Sequence, residues 1–334
     1  MSLALARSPA EPWWWQFVDS DVLEYSVHYV LVVDPEGRPR SMLSRRFAAM
    51  SLGIVRALGR ARRERDTFIT TGECDWTSFV IAGVQTLFRM RRPRHVIVQF
   101  IMRERTASLG SRLKYAFMGW CFSSVDLCVC SARAECDYYA RAFGWPRSKL
   151  AFVPFHTDPR FLDIPVQDGD YAVSAGRSFR DYDTLLDAWE GLDVPLWVVG
   201  YKGARPAPQN VTIKREIPLA DLTTLIAGAG IVVVPLEERR ISIGQSVILQ
   251  AMAMGKAVVV TRVDGTVDYV EHMKTGLLVP PRDPAALREA VRLLSSDVTL
   301  RRRLAAAALE QIKTAHLVSH YMRGVSDALT QGTR

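Results

Sequence analysis

The chain has 334 residues, of which 49% are hydrophobic and 23% charged, and a formal net charge of +8. That length accommodates two α/β domains rather than one, and the balance is that of a globular chain, which excludes disordered and fibrous classes. No apolar run approaches the roughly 20 residues of a membrane-spanning helix, and five Cys without regular spacing, all within 74–136, exclude a disulfide framework.

The opening, MSLALARSPAEPWWWQF, has only a short apolar patch before Arg7 and Pro9, so no signal peptide is expected and a reducing cytoplasm is the expected compartment. Residues 1–24 receive no element. The Trp13-Trp14-Trp15 triplet reads as core packing or as an interfacial anchor. VHYVLVVD at 27–34 is a continuous apolar run, hence a strand buried in a parallel sheet. A turn at 35–40, a helix at 47–63, a strand at 66–72, a helix at 76–90 and a strand at 95–101 follow. A helix at 109–122, a strand at 125–132, a helix at 133–143 and AFVPF at 151–155 complete a βα alternation. Cys128 and Cys130 fall on one face of their strand and read as buried thiols, since further zinc ligands are not near.

A second α/β alternation runs YAVSAG, helix 181–191, PLWVVG, VTIK, helix 219–227, IVVVP, helix 246–254, AVVVT, LLVP and helix 284–296. A last helical stretch occupies about 317–330. The whole formal excess of +8 lies within residues 1–150, much of it in clusters at 56–65, 89–94 and 103–114. Basic, partly amphipathic helices suit an anionic membrane surface or an anionic acceptor, and equally a solvated helix face. Charge alone is compatible with nucleic acid, but no recognition motif accompanies it, so nucleic acid is not an expected partner.

The segment 241–261, ISIGQSVILQAMAMGKAVVVT, says most about chemistry. The strand 231–235 enters a loop that ends at Gly244, Gln245 and Ser246. A helix follows, Gly255 is placed to cap it, and the next strand starts two residues later. Such a βαβ unit offers free N–H groups beside a glycine, a geometry suited to a phosphate or diphosphate. A steric glycine that binds nothing is the other reading of the same turn.

Three runs together resemble the C-terminal nucleotide-sugar domain of family 4 glycosyltransferases: SAGRSFRDYDTLLDAW at 174–189, QAMAMGKAV at 250–258, and DGTVDYVEHMKTGLLVPPRDPAALREAV at 264–291. The resemblance covers about 150–330 and is weak before about 95. It implies an α/β GT-B fold, two Rossmann-like doubly wound domains facing across a cleft, with a C-terminal helix crossing back to the first. The implied domains are 1–155, with the helix at about 317–334, on the acceptor side and 156–316 on the donor side. His156 lies at the expected hinge and reads as structural.

On the donor side, Gly176 opens the family's Gly-Arg pair. Arg177 and Arg180 match its Arg and Lys, at shorter spacing, and would stabilise the charge developing on a leaving diphosphate. Gln250 stands where the family has the Glu assigned to ribose hydroxyls. Ser242 stands at the Glu near the donor sugar, a role that Gln245 or a backbone amide would then fill. Both signature carboxylates are therefore missing. Glu237 and Glu238 contact the base, replace a missing Glu, or are solvated. Asp264, Gly265 and Thr266 form a strand-to-helix turn near the donor, or a purely structural one. The family's His on the acceptor side has no counterpart near 99–101. Arg103, Arg105, Glu73 and Asp75 are the acceptor-side candidates, with Glu104 the candidate for a direct part in the reaction.

The resemblance implies transfer of a sugar from a nucleotide-diphosphate sugar, UDP-linked by preference and GDP-linked otherwise, with retention of configuration. The acceptor would be a glycan, a lipid-linked molecule or a small molecule. In that family the leaving diphosphate assists deprotonation of the acceptor, so no protein nucleophile is required, and no metal or other cofactor is needed if Arg177, Arg180 and the helix supply the positive charge. The chain would work in the cytoplasm, at the inner face of the membrane as a peripheral protein. An epimerase or sugar phosphorylase of the same fold, and a non-catalytic nucleotide- or glycan-binding homologue, are the alternative readings.

Overall fold

The computed structural model describes residues 76–331, strands at 2–7, 26–31 and 67–71, and helical positions at 52, 55–56 and 58–59. The chain divides into two compact units: Met1–Val153 with Tyr321–Arg334, and Pro154–His320.

The first unit runs β1 (Ser2–Arg7), β2 (Ser26–Leu31), β3 (Thr67–Thr71), α1 (Trp76–Leu87), β4 (Arg94–Val98), α2 (Leu109–Cys121), β5 (Leu127–Cys130), α3 (Arg133–Phe143) and β6 (Leu150–Phe152). Among the described residues its six strands are all parallel, in the order β2-β1-β3-β4-β5-β6. This is the doubly wound order whose direction reverses beside the first strand. β1 lies in the stretch to which the sequence assigns nothing. The short run SLALAR carries little local signal, and pairing with β2 and β3 makes it a strand.

Several predicted bounds are too long, among them the strands at 125–132 and 151–155, observed as Leu127–Cys130 and Leu150–Phe152. α1 ends at Leu87 because Arg89 takes φ 51°. β4 ends at Val98 because Gln99 takes φ 54°, which breaks the ladder. The predicted turn at 35–40, the Trp13-Trp14-Trp15 triplet and most of the helix at 47–63 lie outside the described residues.

An aromatic cluster fills the core above β4. Phe100 meets Phe122 edge-on at 5.7 Å and Tyr139 at 4.9 Å, and Phe143 stacks on Trp145 at 4.4 Å. Glu135 is fully buried, and its carboxylate accepts from the N–H groups of Ser131 and Ala132, both at 3.1 Å. A carboxylate thus satisfies the turn from β5 into α3.

The second unit runs β7 (Ala172–Ala175), α4 (Tyr182–Trp189), β8 (Leu196–Val199), β9 (Val211–Lys214), α5 (Leu219–Gly228), β10 (Ile231–Val234), α6 (Gln245–Ala253), β11 (Ala257–Thr261), β12 (Leu277–Val279), α7 (Pro284–Ser296) and α8 (Val298–Ala315). The chain closes with α9 (Val318–Gln331), whose residues from Tyr321 cluster with the first unit. There Arg94 Nη1 donates to the Leu329 carbonyl at 2.9 Å. The six parallel strands of the second unit lie in the order β12-β11-β10-β7-β8-β9, the Rossmann arrangement. AVSA, IVVV and AVVVT are buried along their whole length, as strands covered on both faces must be.

α8 is a correction. The sequence reading left 297–316 without an element, yet an 18-residue helix follows α7 with only Asp297 between them. Asp297 does both jobs. Its N–H closes α7 on Leu293 at 2.9 Å, and its carboxylate caps α8 through Leu300 N at 2.8 Å. Ala- and Arg-rich sequence then propagates the helix, with Leu300, Leu304, Ala308 and Ile312 buried along one side.

Candidate functional site

In a sheet of this order, ligands bind where the strand order reverses, outside the carboxyl ends of the strands. That point lies between β7 and β10. The loops leaving those two strands are stapled together. Arg180 and Leu236 form an antiparallel bridge, Glu237 N donates to the Phe179 carbonyl at 3.0 Å, and Asp181 N donates to the Pro235 carbonyl at 3.2 Å.

Gly176 begins the first loop. A Cβ there would fall 2.4 Å from Arg180 Nη2, so only glycine lets the guanidinium lie across the chain. Arg180 donates to the carbonyls of Ala175 and Ser178, both at 3.0 Å. Burial lowers its pKa from the ordinary arginine value. Tyr182 donates from its hydroxyl to the carbonyls of Gly176 at 2.7 Å and Val199 at 3.0 Å, and burial pushes that phenol up to about 12. Arg177 differs from Arg180. It is exposed and pairs with Glu216 beyond β9 at 3.1 Å. An exposed pair of this kind contributes little to stability and yields readily to a stronger anion.

The second loop ends at Gly244, the N-cap of α6, with φ 85° and ψ −13°. Glycine is needed twice here: for the left-handed backbone, and because a Cβ would press on Leu236 at 3.1 Å. Leu236 therefore joins the two loops, bridged to Arg180 and abutting Gly244. The first hydrogen bond of α6 runs from Ile248 N to the Gly244 carbonyl at 3.1 Å. The amides of Gln245, Ser246 and Val247 precede it, at the positive end of the helix dipole. Ser246 is exposed at that end.

At its other end α6 closes as the sequence predicts. Gly255 N donates to Met252 O at 3.0 Å and Lys256 N to Ala251 O at 2.9 Å, the paired bonds of a Schellman stop. Lys256, of the family's Gly-Lys pair, is buried and donates to the Gln167 carbonyl. Burial lowers its pKa to about 8.

Gln245 is buried and donates from Nε2 to the Gly265 carbonyl at 2.7 Å, fixing the turn after β11 against the start of α6. Asp264 is exposed there. Thr266 is fully buried. Its hydroxyl donates within its own turn, to Thr261 O at 2.8 Å and Val263 O at 3.0 Å, and accepts from Val263 N. Turns rather than a helix follow β11.

Gln250 is buried on α6, with Nε2 3.4 Å from Thr223 Oγ1 of α5. Ser242 is buried in the loop. Glu237 forms an ion pair with Arg239, whose guanidinium lies 5.1 Å from the Phe179 ring centroid. Glu238 lines a cavity of about 420 Å3 with Asp181, Thr184, Glu237, Arg239 and Arg282.

In the first unit, the candidates Arg103, Glu104 and Arg105 lie on a loop past β4, not on its last residues. Three tyrosines hold that loop. Met102 N donates to Tyr139 Oη at 2.7 Å, Tyr115 Oη donates to the Arg103 carbonyl at 2.6 Å, and Arg105 N donates to Tyr138 Oη at 2.6 Å. Arg103 and Arg105 stay exposed, and Glu104 is half-buried. Glu73 and Asp75 lie outside the described residues. The tyrosines, with Tyr182, Leu236 and Glu216, are positioning residues that the sequence reading missed; no local pattern marks them, because each partner is distant in the chain or meets it through backbone.

His156, near the start of the second unit in sequence, is buried, and burial lowers its pKa to about 4. Cys121, Cys128, Cys130 and Cys136 are buried, and none of the four is in a disulfide. Among the described residues no group of three or more His, Cys, Asp or Glu is arranged to hold a metal ion, and no helix is long and apolar enough to cross a membrane.

Residues 172–297 match the profile of Glycosyl transferases group 1. Over 132 residues the chain is 30% identical to the D-rhamnosyltransferase WbpZ of Pseudomonas aeruginosa, a match covering 36% of this chain and 34% of that protein. It therefore spans about a third of that relative. Solved structures match along nearly the full length. A glycosyltransferase from Rickettsia africae superposes with a TM-score of 0.71 at 12% identity, over 100% of this chain and 98% of that one. Anabaena HepE in complex with UDP-glucose superposes at 0.70 and 13% identity, over 99% and 100%. The protein thus has the GT-B fold, built of two Rossmann-like units. Its second unit carries a region that resembles the group 1, family 4-like glycosyltransferases.

Proposed function

We propose that this protein transfers a sugar from a nucleotide-diphosphate sugar to an acceptor, with retention of configuration. The observation that carries the reading is the pairing, through Leu236, of the Gly244-capped start of α6 with the loop bearing Arg177. Diphosphate oxygens would take N–H bonds from 245–247 and charge from Arg177 as the glycosidic bond breaks. Arg180 would act by shaping the loop, together with Gly176 and Tyr182. Gln245, Ser246, Asp264 and Gly265 would border the sugar and phosphates, with Ser242, Glu238 and Gln250 behind them toward sugar, base and ribose. A UDP-sugar is the favoured donor and a GDP-sugar the alternative; HepE, solved with UDP-glucose, supports the former by fold likeness. Neither a metal nor another cofactor enters this scheme.

Arg103, Glu104, Arg105, Glu73 and Asp75 would meet the acceptor, a glycan, a small molecule or, by the charge of the first unit, an anionic or lipid-linked molecule. The reaction would run in the cytoplasm, at the inner face of a membrane.

Thermal unfolding against UDP, GDP, ADP and TDP, each free and sugar-linked, tests the donor. A ligand at 100 times its dissociation constant stabilises by about 2.7 kcal/mol. Stabilisation by one nucleotide class is expected, and the product's anomeric configuration by NMR then tests retention. Stabilisation by none would overturn the donor reading. A second reading, binding without turnover, is favoured by Ser242 and Gln250, which supply no charge where the family has two carboxylates. Saturable nucleotide binding with no sugar transfer across an acceptor panel would select it.

A further inference from the structure

One face of α2 is apolar and turned outward. Leu109, Leu113, Phe117 and Trp120 are 70%, 62%, 51% and 49% exposed. Their spacing of four, four and three residues puts them in a single stripe. The helix already buries its other side through Tyr115, Met118 and Cys121, so the stripe is a second apolar face and not a displaced core. The Phe117 and Trp120 rings stack at 6.1 Å, and Phe117 also meets Phe79 of α1 at 5.9 Å, which holds the patch in shape.

The patch continues and is ringed with positive charge. Thr86 donates to the Cys121 carbonyl at 2.8 Å, joining the C-terminal ends of α1 and α2. Just past Thr86, Leu87 and Phe88 are exposed and lead into the exposed Arg89, Arg91 and Arg92. Arg112 and Lys114 flank the stripe on either side along α2, a helix with no Asp or Glu. Arg103 and Arg105 are exposed in the loop before α2.

Large exposed apolar stripes are uncommon on soluble monomers and mark docking surfaces. Leu, Phe and Trp on one line, rimmed by Arg and Lys, match an interface of apolar chains beneath anionic headgroups. We propose that α2 and the α1 end at 87–92 form the surface by which this protein lies on an anionic phospholipid bilayer. The proposal deepens the membrane-side placement above and does not depend on sugar transfer.

Sedimentation of the full chain with phosphatidylcholine vesicles, with and without phosphatidylglycerol, tests it. Binding is expected only when phosphatidylglycerol is present, and should weaken as salt is raised. The L113S/F117S double variant should bind at least tenfold more weakly. Arg91→Gln and Arg92→Gln should each cost about fivefold. Both variant sets should keep the wild-type melting temperature and its shift with UDP, which separates this test from the fate of the donor reading. The proposal is overturned if wild type ignores phosphatidylglycerol vesicles, if the double variant binds them as well as wild type, or if the stripe instead supports a dimer that the double variant breaks without lipid binding.

Discussion

Gln245, in the first turn of α6, donates to the carbonyl of Gly265 in the turn after β11, across 2.7 Å and out of water. Two successive strand ends are thereby fixed to each other at the edge of the proposed donor site. Gln245→Leu keeps the bulk and removes the donor, leaving that carbonyl unpaired. A loss of about 1–3 kcal/mol is expected in denaturant unfolding. Nucleotide affinity by calorimetry should fall with it; unchanged affinity would mean the turn does not shape the site.

Arg177 and Arg180, three residues apart, should separate by experiment. Arg177 is exposed with one ion-pair partner, so Arg177→Gln should change stability by no more than about 0.5 kcal/mol. Its kcat should fall further than its nucleotide affinity. Arg180 serves two backbone carbonyls, so Arg180→Gln should cost about 1–3 kcal/mol in stability. Equal loss of kcat and affinity in Arg177→Gln would argue for a binding module instead of an enzyme.

Gly244→Val meets both constraints at once: a φ of 85° and the Leu236 side chain. The strain is about 1–3 kcal/mol, seen as a lower melting temperature. UDP binding should vanish, because the start of α6 can no longer open toward an anion. Binding that survives in a folded variant would locate the nucleotide elsewhere.

His95 predicts an acid limit. It is fully buried, Thr70 Oγ1 lies 2.9 Å from its Nε2, and Ser78 donates to Thr70 at 2.7 Å. Burial, aided by the charge of Lys149, lowers its pKa to about 3. Between about 3 and the ordinary 6.5 the unfolded chain binds a proton that the folded chain does not. Stability must therefore fall as pH drops through that window, by up to about 1.4 kcal/mol per pH unit. Unfolding midpoints from pH 7 to 4 should show this contribution, and His95→Gln should remove it; an unchanged slope in the variant would assign it to other groups.

Local pattern carried much of the second unit. AVSA, IVVV and AVVVT read as buried parallel strands because both of their faces are covered, which demands unbroken apolar runs. Gly244 and Gly255 read as helix bounds because few other residues accept those backbone angles. β1 was not legible: SLALAR carries no turn or breaker to bound it and is a strand through pairing with β2 and β3. α8 was missed because one residue, Asp297, separates two helices, and no breaker announces the change.

By itself, then, the sequence determined two βα alternations, the βαβ turn at Gly244, and the basic character of the first unit, since each is written in neighbouring residues. Only the tertiary structure decided that β7 and β10 are adjacent, that Leu236 joins the Arg180 loop to Gly244, that Arg180 braces backbone while Arg177 stays exposed, and that the stripe on α2 faces outward. These depend on contacts between residues far apart in the chain, where burial and hydrogen-bond satisfaction, not local propensity, set the arrangement.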